Sequence, residues 1–378
     1  MDQPLTLLSL AHLNWDHVWQ RPQQLMTRFA TRCRVIYCDP AEITRDAAAV
    51  HLAERPGADG ICVVRPIFPD SILDSPGHSF RELWVQLLPR LLTMAGPNIV
   101  LWVSSPRSDY LVAAARPHVR LAVYDCMDDL ASFRDGGAEL RQREAHLLDL
   151  VDLLFTGGHA MYEARKDRHA HAHCFPSGVD AAHYRQVEAP AFPFPAPVAW
   201  VPQPRLGYIG VLDERIDWPL IAAIAHERPG WHWVLVGPTA KVHPRELPGG
   251  PNIHYVGQRP YAELPAYLRS FDIATMPFAL NEATRSISPT KTLEYLAGGM
   301  SIMSSSVPDV VAGYRGIVEI ADGAAAWLRA IEDMLGESPA QKQLRRDLAR
   351  PLLAQASWDN IAARMWHLMQ AHLRGANR

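Results

Sequence analysis

Residues 286–300, SISPTKTLEYLAGGM, combine a helix start with two charged side chains. Ser288 is a favourable N-cap residue, and Pro289 suits the first helical position because it needs no partner for an N–H group. The free N–H groups and the positive dipole end of such a helix attract anions, and Lys291 adds a full charge. Glu294 lies one turn further on the same face, where its carboxylate can accept hydrogen bonds from the diol of a ribose. The spacing fits a nucleoside diphosphate, and the alternative is a capped helix with an i,i+3 ion pair.

A second segment with chemical potential is NWDHVWQRPQQL, residues 14–25, which follows the first predicted strand. Aromatic faces stack on the C–H surfaces of sugars, while Asp, His and Arg side chains hydrogen-bond hydroxyl groups. The alternative is that the two tryptophans, Trp15 and Trp19, are core contacts. The predicted sugar- or acceptor-binding residues are Trp15 and Arg21, and the predicted catalytic candidates are Asp16 and His17.

A third group of polar side chains, in VYDCMDDLASF (123–133), follows another predicted strand. Asp125 is a further catalytic candidate, and Asp128 is expected to bind acceptor or sugar. The spacing is DxxDD, so we expect no metal site here. The histidines of DRHAHAHC (167–174) are spaced as metal ligands can be, but a solvated loop entering a strand is the preferred interpretation.

The composition limits the class of protein. The chain has 378 residues, a net charge of −3 and 48% hydrophobic residues, typical of a globular enzyme and not of a nucleic-acid binder. Its five cysteines form no CxxC pair, which indicates reduced thiols in the cytoplasm. The N-terminus lacks the basic region of a signal peptide, and no window is apolar enough to span a bilayer.

Short apolar runs alternate with helical patterns along the whole chain, which predicts parallel sheets covered by helices. Neither half contains GxGxxG after its first strand or a GxxxxGK[ST] motif, which argues against dinucleotide oxidoreductases and P-loop enzymes. Ligands of open α/β sheets bind beyond the carboxyl ends of the strands, so a cleft between two such domains is the expected site. The predicted strands are 5–10, 33–39, 60–66, 98–104, 119–126, 151–158, 171–179, 205–212, 231–238, 252–259, 272–278, 300–306 and 316–321.

The Pro-rich segment 187–204 divides the pattern, because proline fixes φ and lacks an N–H group. We therefore predict a stiff linker there. The tail is a strong amphipathic helix pattern with Trp358, Ile361, Met365, Trp366 and Leu368 on one side. The predicted organisation is a first Rossmann-like, acceptor-side domain (1–186), the linker (187–204), a second Rossmann-like, nucleotide-sugar-binding domain (205–355) and a closing helix (356–378).

The run SPTKTLEYLAGGMSIMSSSVPDV closely resembles the nucleotide-sugar motif of GT-B glycosyltransferases, in particular the retaining "glycosyl transferases group 1" class. GYIGVLDERIDWPLI, WVLVGP, HYVGQRPYAELPAYLRSFDIATMPF and SWDNIAARM are also similar to segments of that class. The resemblance implies a GT-B fold, with a terminal helix that returns to the first domain. It implies that Glu294 binds ribose and that the backbone from Ser288 to Thr290 binds the diphosphate. The loop with Gln258 and Arg259 would lie against the base.

Further donor residues follow from the same likeness. Arg215, in the loop after the first strand of the second domain, is the expected second cation for the diphosphate, and Lys241 is its competitor. Asn281 and Thr284 precede the helix at 289, where sugar hydroxyls would be reached. The motif departs from the family at Ser286, where many members have a glutamate, and the first strand does not lead into the usual Gly-Gly loop.

We therefore predict a transferase that uses a nucleotide-activated sugar, UDP-linked, and a glycan or lipid-linked acceptor, with retention, in surface polysaccharide or glycoconjugate synthesis. No metal or other cofactor and no nucleic acid are expected. The predicted location is the cytoplasm, with peripheral contact at the inner membrane face left open. The alternatives are a GT-B nucleotide-sugar epimerase and a non-catalytic sugar-nucleotide binder.

Overall fold

A computed structural model describes residues 4–71, 80–133, 136–189, 192–285, 287 and 290–375. The chain divides into two compact units: Met1–Pro176 with Asp359–Arg378, and Ser177–Trp358. Each unit is built on its own sheet, and α-helices connect most of the parallel strands. The predicted fold class, two doubly wound α/β domains, is confirmed.

The first unit contains a sheet of nine described strands in the order β3-β5-β2-β1-β6-β7-β8-β9, with β4 antiparallel to β5. The other pairings are parallel, and Leu8 of β1 lies between Ile36 and Leu101. The strands are β1 (Thr6–Leu10), β2 (Arg34–Cys38), β3 (Glu42–Thr44), β4 (His51–Pro56), β5 (Cys62–Pro69), β6 (Ile99–Val103), β7 (Leu121–Cys126), β8 (Leu153–Thr156) and β9 (Ala172–Cys174). The helices are α1 (Arg21–Ala30), α2 (Phe80–Ala95), α3 (Asp109–Ala115), α4 (Ala138–Leu150) and α5 (His159–Glu163).

The second unit contains a parallel sheet of six described strands in the order β12-β11-β10-β13-β14-β15. Its strands are β10 (Arg205–Ile209), β11 (His232–Val236), β12 (Ile253–Gly257), β13 (Ile273–Met276), β14 (Ile302–Ser304) and β15 (Glu319–Ile320). Its helices are α6 (Ala181–Arg185), α7 (Trp218–Glu227), α8 (Leu264–Arg269), α9 (Glu282–Arg285), α10 (Thr290–Ala297), α11 (Pro308–Tyr314), α12 (Ala324–Leu335) and α13 (Pro339–Gln355).

The central strands are buried on both faces, because helices cover both sides of each sheet. β1, β6 and β10 are buried along their whole length, as expected of parallel strands that read as continuous apolar runs. β4 is polar and largely exposed, so no apolar run in the sequence predicts this strand. The carboxyl ends of β10, β11 and β13 therefore open at one edge of the second sheet, where the polar motifs follow.

The segment predicted as a linker, 187–204, packs within the second unit. Val198 and Val201 are buried in its core, and Arg269 Nη1 donates hydrogen bonds to the carbonyl oxygens of Ala189 (3.0 Å) and Phe192 (2.8 Å). Proline restricts the chain but leaves its apolar neighbours free to pack, so a Pro-rich run can be part of a domain. The units separate at 176/177, earlier than the predicted boundary at 186.

The terminal helix α14 (Trp358–Gly375) belongs to the first unit from Asp359 onward. Phe29 of α1 packs on Trp366 at 6.0 Å between ring centroids, and Arg28 Nε donates to Asp359 Oδ1 at 2.6 Å. Met365 and Trp366 are buried, as the amphipathic pattern predicts. None of the described helices is long and apolar enough to cross a membrane.

Candidate functional site

Helix α10 is fixed to the carboxyl end of β10 by one tyrosine in its second turn. The Ile209 N–H donates to Tyr295 Oη at 2.8 Å, and the carbonyl oxygen of Ile209 lies 3.4 Å from the same hydroxyl. Tyr295 is fully buried, and burial raises the pKa of its hydroxyl well above the ordinary value. The phenol therefore keeps its proton and can serve both backbone groups of the last residue of β10.

This attachment places Lys291 directly over Gly210, the first residue after β10. A Cβ atom on Gly210 would clash with Lys291 Cε and would come within 2.7 Å of Nζ. Gly210 also has φ +152°, a conformation that side chains disfavour. The ammonium lies 5.6 Å from the ring centroid of Tyr208, within cation–π range. A positive charge is thus held at the mouth of β10.

A second glycine brings the end of β11 to the same place. A Cβ atom on Gly237 would clash with the carbonyl oxygen of Gly210, and the Gly237 N–H donates to the carbonyl of Gly257 at the end of β12 (3.0 Å). A glycine therefore follows β10 and β11 and ends β12, and the backbone at Gly210 lies against the Lys291 side chain. Such a surface lets a ligand approach the main chain closely.

Glu294 lies one turn after Lys291 and is half-buried. Burial raises the pKa of its carboxyl above the ordinary value of 4.5, while the Lys291 charge and the Tyr184 hydroxyl act in the opposite direction. Tyr184 of α6 is buried, and its hydroxyl has no hydrogen-bond partner of normal geometry among the described residues. The two groups are nevertheless close enough for the carboxylate charge to raise the pKa of Tyr184.

Arg215, the predicted second cation, is paired with a neighbouring carboxylate. Its Nε lies 3.0 Å from both carboxylate oxygens of Asp213, and Nη2 lies 2.7 Å from Oδ2. Asp213 is buried, so this bidentate pair neutralises much of the arginine charge. Lys241 is exposed, and its φ of 57° is left-handed, an uncommon conformation for a residue with a side chain.

The loop before α10 holds two other predicted residues, with different outcomes. Asn281 is exposed, and its Oδ1 accepts a hydrogen bond from the Thr284 N–H at 3.2 Å. Thr284 is buried, and its hydroxyl donates to the carbonyl oxygen of Ala279. Thr284 therefore shapes the loop and does not present its hydroxyl to a ligand, contrary to the prediction.

The remaining residues predicted to bind the donor lie around the same edge or outside the described part. Gln258 is exposed after β12, while Arg259 Nη2 donates to the carbonyl of Val256 (3.1 Å). Thr290 is half-buried at the start of α10. The predicted contacts of Ser288 and Pro289 lie outside the described residues, as does Ser286.

In the first unit, Trp15 is a core residue and not an exposed stacking surface. It is buried and packs edge-on against Tyr37 (4.9 Å between centroids) and Trp19 (5.9 Å). Its backbone N–H donates to Asp39 Oδ1 (2.7 Å). Asp16 is exposed and pairs with Arg55 at 2.6 Å. His17 is half-buried, and its backbone N–H donates to the carbonyl oxygen of Asn14.

Arg21 and Asp125 form a buried ion pair, which corrects both predictions. Arg21 Nη2 lies 2.7 Å from Asp125 Oδ1, Nε lies 3.0 Å from both oxygens, and Nη1 donates to the Phe175 carbonyl at 2.8 Å. Both side chains are 2% exposed. A carboxylate so enclosed cannot reach a substrate, so Asp125 is not a catalytic candidate, and Arg21 does not bind sugar.

Asp128 is half-buried just after β7, and Cys126 Sγ lies 3.7 Å from its carbonyl oxygen. Its side chain is thus within reach of solvent, and its acceptor-side role remains a prediction. Across the part of the chain that the structure describes, no group of three or more His, Cys, Asp and Glu side chains could hold a metal ion.

Four residues of this site, Tyr184, Tyr295, Gly210 and Gly237, escaped the sequence analysis. Tyr295 and Tyr184 are ordinary aromatic residues in apolar runs, and only their neighbours in space reveal their polar contacts. Gly210 and Gly237 could have been found from the sequence, because a glycine directly after a buried strand often marks a close backbone approach.

Comparisons with known proteins indicate the class to which this chain is similar. Residues 203–337 match the family "Glycosyl transferases group 1". A putative teichuronic acid biosynthesis glycosyltransferase, TuaH of Bacillus subtilis, is 29% identical over 153 residues, which cover 38% of this chain. The match spans 38% of the length of that relative.

Solved structures extend the likeness to the whole fold. A structure described as trehalose-6-phosphate from E. coli bound with UDP-2-fluoro glucose has a TM-score of 0.72 at 12% identity, over 97% of this chain and 99% of that one. A sucrose-phosphate synthase from Thermosynechococcus elongatus has a TM-score of 0.70 at 16% identity, over 99% of this chain and 100% of that one. The GT-B fold predicted from the sequence is confirmed, and the family match of residues 203–337 supports the recognition of a glycosyltransferase.

The Arg21–Asp125 pair gives a direct test of its structural role. Asp125→Asn leaves a buried guanidinium without its anion, so we expect the free energy of unfolding of the first unit to fall by about 3–5 kcal/mol. Differential scanning calorimetry measures this loss. Asp16→Asn is the matched control, since its exposed pair with Arg55 contributes at most about 1 kcal/mol.

The double variant Arg21→Met/Asp125→Leu removes both charges and should regain most of the lost stability. Loss of turnover in Asp125→Asn with an unchanged unfolding transition would contradict the structural assignment and restore Asp125 as a catalytic candidate.

Proposed function

Because this chain has the GT-B fold and its residues 203–337 belong to the glycosyl transferases group 1 family, we propose that it transfers a sugar from a nucleotide-diphosphate donor to an acceptor hydroxyl. One observation carries the proposal. The Lys291 ammonium and the Glu294 carboxylate lie one turn apart on α10, and the Lys291 side chain lies against Gly210 at the end of β10.

The chemistry follows from the bond that must break. Cleavage between sugar C1 and the diphosphate leaves negative charge on the departing phosphate oxygen, and fixed positive charge beside that oxygen lowers the barrier. Lys291 and the positive end of α10 supply this charge, with Lys241 as a further cation. The Glu294 carboxylate accepts hydrogen bonds from the two ribose hydroxyls and orients the nucleotide.

The donor is a UDP-sugar in this proposal, and the acceptor is a glycan or a lipid-linked sugar. The UDP-2-fluoro glucose in the similar E. coli structure supports the nucleotide, and the teichuronic acid role named for TuaH supports surface polysaccharide. Retention of configuration follows from the family likeness. Asp16 and His17 stay candidate catalytic residues, and with a lipid-linked acceptor the reaction would take place beside the inner membrane face.

An epimerase would use the same donor site without an acceptor. The relatives named above are described as a transferase and a synthase, which favours transfer. Incubation with UDP-, GDP- and dTDP-sugars distinguishes the two activities, because a transferase releases nucleotide and an epimerase changes the sugar.

The assignment of Glu294 predicts a loss of donor affinity. Glu294→Ala should weaken UDP-glucose binding at least tenfold, about 1.4 kcal/mol, in isothermal titration calorimetry. Glu332→Ala is the control, since Glu332 is an exposed residue of α12 paired with Arg228 (2.5 Å) and should bind the donor normally. Equal affinity of both variants would remove Glu294 from the site.

The raised pKa of Glu294 predicts how binding depends on pH. Only the carboxylate accepts both ribose hydrogen bonds, so donor affinity should fall on acidification at a pH above the ordinary 4.5 of a glutamate. Tyr184→Phe removes a group that lowers the Glu294 pKa, so the midpoint should move to higher pH. Glu294→Gln should abolish this dependence, and a midpoint that persists in that variant would assign the titration to another group.

A further inference from the structure

A cavity of about 690 Å³ lies at the edge of the first sheet, where β9, α5 and α14 meet. All of its lining belongs to the first unit, and none of it has a part in the donor site. The lining residues that matter for its chemistry are His159, Tyr162, His173, Cys174, Arg364 and His367.

The fold brings a thiol and an imidazole together in this cavity. Cys174 is the last residue of the edge strand β9 and pairs in register with Thr156, the last residue of β8. Two glycines later, His159 begins α5. The Cys174 sulfur consequently lies 3.6 Å from Nδ1 of His159, within the distance of a hydrogen bond that involves sulfur.

The other four cysteines are in environments that keep their thiols protonated. Burial raises the pKa of Cys33 to about 11 and that of Cys126 to about 12, and it also raises the pKa values of Cys38 and Cys62. Cys33 and Cys38 point their sulfurs at carbonyl oxygens, which accept a proton from a thiol but do not remove it. An imidazole, as at Cys174, can take the proton.

The charged groups around the cavity favour an anionic ligand. The Arg364 guanidinium lies 5.1 Å from the ring centroid of Phe175, and His367 follows one turn later on α14. Glu163 is the carboxylate in the lining, and it pairs with Lys166 at 2.5 Å. The Nε2 atom of His173 is buried and has no hydrogen-bond partner among the described residues. Burial lowers the pKa of His173, and the nearby His171, His372 and His169 lower it further.

We propose that Cys174 is a thiol-exchange site, activated by His159, for low-molecular-weight disulfides that carry carboxylates. His159 accepts the proton of the Cys174 thiol, and the resulting thiolate attacks one sulfur of the visiting disulfide. That S–S bond breaks as the new one forms, and the electron pair leaves on the second sulfur as a thiolate. Arg364 binds a carboxylate of the visitor, and a reducing thiol reverses the step.

Oxidised glutathione is the probe, and intact-protein mass spectrometry with peptide mapping is the readout. We expect one glutathione per chain, on Cys174, removed by dithiothreitol. Cys174→Ser should take up none, whereas Cys62→Ser, which removes another half-exposed thiol, should react as the unaltered protein does. Modification at Cys33 or Cys62, or none at all, would overturn the proposal.

Two further variants test the roles of the neighbours. His159→Gln should slow the reaction about tenfold at pH 7 and move its pH profile toward that of an ordinary thiol. Arg364→Gln should reduce the preference for oxidised glutathione over cystamine, a cationic disulfide. Both side chains are exposed, and matching unfolding temperatures confirm that the variants fold. An unchanged pH profile in His159→Gln would refute activation by the imidazole.

Discussion

The hydrogen bonds between the Tyr295 hydroxyl and the backbone of Ile209 determine the geometry of the proposed donor site. They join the second turn of α10 to the end of β10, so the side chains of α10 are positioned relative to β10. Lys291 lies over Gly210 and Glu294 beside Tyr184 because the helix cannot slide along the sheet. Glycine at positions 210 and 237 also matters, since a methyl group at Gly237 would meet the carbonyl oxygen of Gly210 and one at Gly210 would displace the Lys291 side chain.

Much of this organisation follows from sequence pattern. Every strand predicted from an apolar run occurs in the structure, because continuous apolar runs are what doubly covered parallel strands require. β3 and β4 were not predicted, since both are exposed and carry no such run. Lys291 and Glu294 could be selected from spacing on one helix, whereas Tyr184 is more than a hundred positions from Glu294 and no local pattern links them.

The first unit shows the limit of inference from residue type. Asp125 is the penultimate residue of β7, near the carboxyl edge of the sheet where catalytic carboxylates often lie, but Arg21 is 104 residues away in the chain and encloses it. Trp15 and Thr284 were plausible sugar contacts by chemistry, and their burial decides otherwise. Polar residues after strands serve packing and chemistry alike, and only the partner in space distinguishes the two uses.

The central claim is that the start of α10 holds the nucleotide of the donor. A crystal structure with UDP-2-fluoro glucose tests it most directly. The account predicts the ribose hydroxyls at hydrogen-bond distance from the Glu294 carboxylate, about 2.7–3.2 Å, and a diphosphate oxygen at a similar distance from Lys291 Nζ. A nucleotide bound away from α10, with neither side chain in contact, would contradict it.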